Sequence, residues 1–427
     1  MRLSIDLPRL GRDCARRRGL AARPPARCGH PCSSGGAVTP PPVGGPPPPG
    51  LVDVLPAVVA ALGASSVAAP EPRIALPSAP RVCLLLVDGL GLDLLAEHEP
   101  EAPFLSRLLE GAVVLETGVP SSTPISLCSL ATGRPAGEHG IVGFTMHVPP
   151  SPAVFECLSW RRYGGWESLI GRLPPEELQP YPTIFESLNA AGIPATVVSL
   201  GDHVGTGLTR AAFRGARFDP IDRFEDWPAR RTAILGALTQ EPRTLVYTYD
   251  ARLDTAGHAF GTGSVEWRRA LAATDELARD IARALPPDAL LLITGDHGGL
   301  PVPPAERLDL AARPDLAAAV AFLSGDPRAR HVHAVPERAA ELLAAWRAGL
   351  DDSWLVLSRD AGVASGLLGP VVRDDVRPRI GDVMAIATGR GGIFDRRRYP
   401  WELSLRGFHG GLASVETRVP LLVTDAG

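Results

Sequence analysis

Several apolar runs in this chain stop at residues that can bind a metal ion. Leu290-Leu-Leu-Ile293 leads into Thr294-Gly-Asp296-His297-Gly-Gly, and Val82-Cys-Leu-Leu-Leu-Val87 leads into Asp88-Gly. Thr244–Tyr249 leads into Asp250, followed by Asp254 and His258. Nearer the C-terminus, His409 stands among glycines in Gly407-Phe-His409-Gly-Gly. Carboxylate and imidazole are hard-to-borderline ligands, and the flanking glycines let backbone come close to whatever is bound. A four-residue interval, as between Asp254 and His258, lets two side chains point at one ion from a helix turn or tight loop. Asp88, Thr123, Asp254, His258, Asp296, His297 and His409 together supply oxygen and nitrogen donors enough for two divalent ions. A donor set this rich in nitrogen favours zinc over magnesium or calcium. Two metals about 4 Å apart are the usual device for in-line displacement at phosphorus.

The hydroxyl-rich stretch Pro120-Ser-Ser-Thr123-Pro-Ile-Ser126 precedes a helical apolar pattern. One hydroxyl there is needed as an N-cap; the cluster is not. A helix N-terminus offers backbone donors and positive potential, hence an anion site. A hydroxyl placed there becomes a nucleophile when a metal lowers its pKa.

Some residues of the same types carry a blander reading. Gly201-Asp202-His203 repeats the Asp-His pattern at a strand end and is a rival ligand pair, but Val204 follows it where glycines follow His297. His139, in Gly137-Glu-His-Gly, reads as a structural turn residue. His331 and His333 alternate as on a strand and read as surface residues. Three arginines between Leu208 and Phe218 could face a phosphate or solvent.

The elements that must position these groups form an α/β pattern. Buried apolar runs bounded by glycine are strands of a parallel sheet, and α/β sites form at their carboxyl ends. Strands are predicted near 82–87, 112–119, 194–200, 244–250, 290–293 and 418–424. Helices are predicted at 51–62, 103–109, 183–191 and 264–285, the last capped by Ser264. Residues 145–182 read as a long loop over the site, with Trp160, Tyr163 and Trp166. Residues 1–50 are Arg-, Pro- and Gly-rich and cannot build a core, so disorder is expected there. The catalytic core is then 51–300 with 391–427, interrupted by a small cap at 301–390.

Composition excludes several classes. The 427 residues are 45% hydrophobic and 21% charged, ordinary for a globular protein. A net charge of −4 gives no electrostatic case for nucleic acid or an anionic membrane. Every basic residue is arginine, which fits a coding bias. No run reaches a membrane span, and no apolar segment follows the N-terminal arginines, so a cytoplasmic protein is expected. The six cysteines form no disulfide framework; Cys28-Gly-His-Pro-Cys32 lacks the second pair a zinc knuckle needs.

In order, Asp88-Gly, Pro-Ser-Ser-Thr123, Glu-His-Gly, Asp254-x-x-x-His258, Gly-Asp296-His297-Gly and Gly-Phe-His409-Gly-Gly resemble the alkaline phosphatase superfamily, in its type I phosphodiesterase/nucleotide pyrophosphatase branch. The resemblance covers about 80–425. It implies a three-layer fold with a mostly parallel central sheet flanked by helices. It also implies hydrolysis of phosphodiester or pyrophosphate bonds in a small-molecule phosphate ester such as a nucleotide. Asp254, His258 and His409 would hold one zinc. Asp88, Asp296 and His297 would hold the other, with Thr123 as nucleophile between them, forming a phospho-threonine. This favours Asp296-His297 over Asp202-His203. Where members of the branch carry Asn three residues after the nucleophile, this chain has Ser126, a shorter group with one donor that would help bind a phosphoryl oxygen. The alternatives are a phosphomonoesterase or phosphonoacetate-hydrolase-like enzyme of the superfamily, or a metal-stabilised binding protein.

Overall fold

A computed structural model describes residues 48–425; the 1–47 part of the expected tail, with Cys28 and Cys32, lies outside the described residues. The first apolar run becomes the central strand. β1 (Arg81–Val87) alternates its side chains between two cores. Val82, Leu84 and Leu86 point to one face, with α1 (Val54–Ala61) and α2 (Thr123–Thr132). Cys83, Leu85 and Val87 point to the other. All six are fully buried, and each such aliphatic side chain stabilises the fold by about 2 kcal/mol. A strand covered on both faces has no polar alternation, which is why the run reads as continuous.

Around β1 lie β2 (Val113–Glu116), β3 (Ala195–Leu200), β4 (Arg217–Ile221), β5 (Thr244–Asp250) and β6 (Ala289–Gly295). With the C-terminal strand Arg418–Asp425 they form a seven-stranded sheet among the described residues. The order is β2, the C-terminal strand, β6, β1, β5, β3, β4. Only the C-terminal strand runs antiparallel to its neighbours. This is the expected three-layer fold.

Register sets the site. Val87 of β1 stands opposite Asp250 of β5 and Gly295 of β6. The residues that follow therefore emerge together at the carboxyl ends of three adjacent strands. After β5 the chain turns into α3 (Arg252–Phe260), which carries Asp254 and His258. Then comes α4 (Val265–Ala284), capped by Ser264 Oγ accepting the Trp267 N–H at 3.1 Å. Its buried residues Trp267, Leu271, Ala278 and Ile281 make the helical stripe that packs on the sheet.

The 301–390 stretch holds a second, antiparallel sheet. Its strands Val320–Asp326, Ala329–Ala334, Trp354–Ser358 and Val383–Ala387 pair in the order first, second, fourth, third. The helix Ala339–Gly349 buries Leu342 and Trp346 against it. His331 and His333 are on a strand as expected, but they are not at the surface: they are 1% and 5% exposed. Their strand is interior to the second sheet, and its outer face is covered by the chain near Val142–His147. His331 Nε2 lies 2.9 Å from the Val142 carbonyl, and His333 stacks on Phe322 with ring centroids 4.4 Å apart. Alternation cannot distinguish a face covered by solvent from one covered by another segment.

The 145–182 segment also differs from a plain loop. Thr145–His147, Val154–Glu156 and Arg161–Arg162 form a small antiparallel sheet. Trp160 is buried under it against Phe155, its indole donating to the Leu173 carbonyl at 2.7 Å. Cys83, Cys128 and Cys157 are buried free thiols; burial pushes Cys83 and Cys128 up to about 12, leaving them unreactive. Among the described residues no helix is long and apolar enough to cross a membrane.

Candidate active site

The predicted donors meet at one place. Thr123 opens α2 and is 8% exposed. Its Oγ1 lies 3.1 Å from His297 Nε2 and 3.5 Å from Asp88 Oδ1. His297 Nε2 is 3.2 Å from Asp88 Oδ1 and 3.5 Å from Asp296 Oδ2. On the other side, His258 Nε2 lies 3.2 Å from Asp254 Oδ2. The His297 and His409 rings stack at 3.6 Å, and His258 follows at 5.1 Å from His409. Two groups of donors have ligand atoms close enough to share an ion: Asp88, Asp296 and His297, and Asp254, His297 and His409. The first is the set the resemblance implies. The second has His297 where that reading has His258, because His297 lies between the two clusters and His258 turns to Asp254.

The three histidines share one feature. Each Nδ1 is 2.8 Å from a main-chain carbonyl: His258 from Gly407, His297 from Gly298, His409 from Ser121. A carbonyl only accepts, so each Nδ1 carries the hydrogen. When neutral, each ring therefore turns the Nε2 lone pair into the site, the tautomer a metal requires.

The charges also call for a cation. Asp88, Asp254 and Asp296 converge, and no arginine forms an ion pair with any of them among the described residues. Asp296 accepts the Gly89 and His297 N–H groups on Oδ1, while its buried Oδ2 has no hydrogen bond. Burial, with Asp88 adding repulsion, pushes Asp296 up to about 8. Burial opposes charge on His258, but Asp254 outweighs it and raises His258 to about 9. His297 is raised by Asp296 and Asp88 against the same burial, and burial with two histidine neighbours holds His409 well down. Protons here do what a divalent ion would do better: neutralise clustered buried carboxylates. The residues fit such ions.

Ser121, Ser122 and Ser126 prove to be braces. Ser121 Oγ donates to the Gly411 carbonyl at 3.2 Å and accepts the Gly410 N–H at 3.0 Å, tying down the His409 loop. Ser122 donates to Asp326 Oδ1 at 3.0 Å. Ser126 was expected at a phosphoryl oxygen; its one proton instead goes to the Asp296 carbonyl at 2.7 Å, and the residue is fully buried. Tyr249 donates its hydroxyl to Asp88 Oδ2. Sequence reasoning missed Tyr249 and Asp326; the available signal was a strand-end position one residue before Asp250 and at the close of Val320–Asp326.

Other residues stay outside. Asp202 is exposed, and His203 Nδ1 bonds Ser199 Oγ at 2.9 Å. His139 is fully buried, bonded to Ser129 Oγ at 3.0 Å and to the Ile141 N–H at 3.1 Å. Of the arginines between 208 and 218, Arg210 pairs with Glu176, Arg214 with Glu186 and Arg217 with Asp219.

Residues 82–412 match the family model for type I phosphodiesterase / nucleotide pyrophosphatase. The chain belongs to that family. Membership makes it a hydrolase of the phosphodiesterase/nucleotide pyrophosphatase type within the alkaline phosphatase superfamily. No curated protein sequence matches it. Among solved structures it resembles murine ectonucleotide pyrophosphatase/phosphodiesterase 5, with TM-score 0.61 and 18% identity over 80% of this chain and 87% of that one. An inactive form of the murine protein in complex with AMP matches with TM-score 0.62 and 17% identity, over 81% and 88%. Phosphonoacetate hydrolase from Sinorhizobium meliloti 1021, in complex with phosphonoformate, matches with TM-score 0.61 and 20% identity, over 84% and 92%. At these identities the structures speak for the shared fold.

Proposed function

We propose that this family member cleaves phosphodiester or pyrophosphate bonds of small phosphate esters through a phospho-threonine on Thr123, at a site holding two divalent ions, most suitably zinc. The observation that carries the reading is the position of Thr123 Oγ1 at the edge of both donor groups, at the first residue of α2. Asp88, Asp296 and His297 would hold one ion, and Asp254, His258 and His409 the other. Bound there, the ions supply Lewis-acid stabilisation of the nucleophile, the leaving oxygen and the phosphoryl charge.

This chain's residues do the rest. Thr123 Oγ1 attacks phosphorus in line, its proton passes to solvent, and the ester oxygen departs opposite with the bonding pair and takes up a proton from water. Water then attacks the phospho-threonine, releasing phosphate product and restoring the hydroxyl. The Thr123 N–H at the helix start would serve growing oxyanion charge, since Ser122 does not occupy that end of the helix with a side-chain cap. Ser126 acts indirectly, fixing the strand end that carries Asp296. The 301–390 stretch serves as the cap beside the site, and its contribution to substrate choice is open to the same assay.

The test is turnover of bis-p-nitrophenyl phosphate against the monoester and phosphonoacetate, after chelation and with zinc restored. Zinc-dependent diester preference is expected. Thr123→Ala should lose turnover and keep its zinc; near-normal activity in that variant would overturn the nucleophile assignment. Monoester or phosphonoacetate preference would overturn the substrate class and leave the site standing.

A further inference from the structure

The strand Val320–Asp326 and the strand Ala329–Ala334 are joined by a tight turn whose first and last pairing residues are Asp326 and Ala329. This turn belongs to the second sheet, yet it ends against the nucleophile segment. Asp326 is 2% exposed. Its Oδ1 accepts the Ser122 hydroxyl at 3.0 Å, and its Oδ2 accepts the Phe144 N–H at 3.2 Å. Ser122 is the residue before Thr123 and the N-cap of α2, with extended backbone (φ −141°, ψ 140°). A serine at that position ordinarily turns its hydroxyl to the helix N–H groups. Here it makes no such bond and gives its proton to a carboxylate from a different sheet.

The same turn also grips the opposite wall. Gly410 follows His409 at φ +115°, and a Cβ there would stand 2.8 Å from the Asp326 Cβ, so the loop packs directly on Asp326. Two residues along, buried Arg328 holds Glu416 through two bonds of 2.7 Å, and Glu416 accepts the Gly411 N–H at 2.8 Å. One turn thus contacts the segments bearing Thr123 and His409.

We propose that Asp326 is a positioning residue that fixes the Thr123 nucleophile through Ser122. The inference rests on the reading of Thr123 given above. Asp326 itself touches neither the nucleophilic oxygen nor any of the seven donors by hydrogen bond; it sets where the Ser122–Thr123 backbone sits. Displacing a nucleophile by about 1 Å costs on the order of a hundredfold in rate.

The experiment compares wild type, Asp326→Ala, Ser122→Ala and the double variant with bis-p-nitrophenyl phosphate. It measures kcat and KM, zinc per chain, and amide exchange in the metal-free protein at Ser126, whose N–H is held by the Ser122 carbonyl at 2.9 Å. Each single variant should lose about ten- to a hundredfold in kcat with KM and zinc content near wild type. Exchange at Ser126 should quicken in both. The double variant should be no worse than the weaker single, because each single variant already removes the Ser122–Asp326 bond they share. Ser122→Ala deletes a single oxygen, so it tests the link even if Asp326→Ala folds poorly. Additive losses, a kcat loss that follows zinc loss, or unchanged kcat in Asp326→Ala would each overturn the proposal. An inactive wild type or an active Thr123→Ala would instead overturn the nucleophile reading.

Discussion

Two places in this chain read Gly-Asp-His at the carboxyl end of a parallel strand, and the fold treats them differently. Asp296-His297 ends β6, next to central β1; Asp202-His203 ends β3, separated from β1 by β5. At the first, the strand continues straight into the site. Asp296 is buried between Gly89 and His297, and the His297 ring meets Asp88 and Thr123. At the second, the chain coils at once into a short 3-10 turn, Asp202 faces solvent, and His203 folds back onto Ser199. The residues after each pair decide much of this. A Cβ on Gly298 would lie 1.9 Å from the Val415 carbonyl, whereas Val204 is half exposed and needs no such approach. An Asp-His pair is brought into a cluster of donors by its sheet position and by what may stand next to it, more than by its own two letters.

Exchanging equivalent substitutions between the pairs is the most direct way to break this comparison. Asp296→Ala should lower zinc occupancy and kcat/KM by more than about a hundredfold, since losing even a group that merely orients a ligand costs about ten- to a hundredfold. Asp202→Ala should leave both within about twofold. Metal analysis and diester turnover of the two purified variants decide it; similar losses at both would mean that the two pairs do not differ as described. Next in size is backbone approach. Gly298→Ala should cost about 2 kcal/mol or more in denaturant unfolding, because its only exit is to push Val415 away. Val204→Ala, at 53% exposure, should stay within about 0.5 kcal/mol.

The same contrast explains what could be read from sequence. The runs 82–87 and 290–293 were legible as buried strands because both faces are covered, and the long amphipathic helix before β6 was legible from its stripe and its Ser264 cap. The donors were legible because Asp and His at strand ends are chemically conspicuous. What remained hidden was pairing across distance. Nothing near Ser122 announces Asp326, and nothing near His331 announces that the Val142 carbonyl will cover it. Asp326 itself escaped notice because its strand runs three residues past the apolar run that ends at Leu323. The partner of Ser126 was hidden for a related reason. The spacing of Ser126 from Thr123 fits a site residue, but only the fold shows the Asp296 carbonyl taking its proton.

A smaller effect separates the pairs by pH. In the metal-free protein Asp296 holds a proton up to about 8, while an unfolded carboxyl releases it near 4. The folded state therefore binds more protons in between, so raising pH through that window destabilises it. His258, raised to about 9 against an ordinary value near 6.5, adds stability that is complete below 6.5 and lost as pH rises through 9. Burial holds His139, His331, His333 and His409 below the ordinary value, which works the other way up to about pH 7; above that these rings are neutral whether folded or unfolded and the signs agree, so metal-free protein should melt lower as pH climbs from about 7 to 9. Zinc needs the same groups deprotonated, so the stabilisation it confers should grow over that range. Thermal melts with chelator and with zinc check this, and a metal-free Tm that rises with pH over that range would contradict it. The second pair has the opposite sign: burial lowers His203, so the unfolded imidazole takes up its proton first and that stability is lost as pH falls below about 6.5.

The smallest predicted effect concerns how far the second pair is separate from the site. The His203 ring lies 5.7 Å from the ring of Tyr249, edge to face, with Phe224 beside both. Tyr249 in turn donates to Asp88, so His203 supports a residue that orients a proposed ligand. Removing the hydroxyl in Tyr249→Phe should cost about tenfold in kcat/KM. His203→Ala leaves that hydroxyl in place and removes only one side of its aromatic packing, so the loss should stay below about threefold. In a Tyr249→Phe background His203→Ala should then add nothing, since the bond it supports is already gone. A full independent loss in the double variant would mean that His203 reaches the chemistry by another route, and the contrast between the two Asp-His pairs would have to be redrawn.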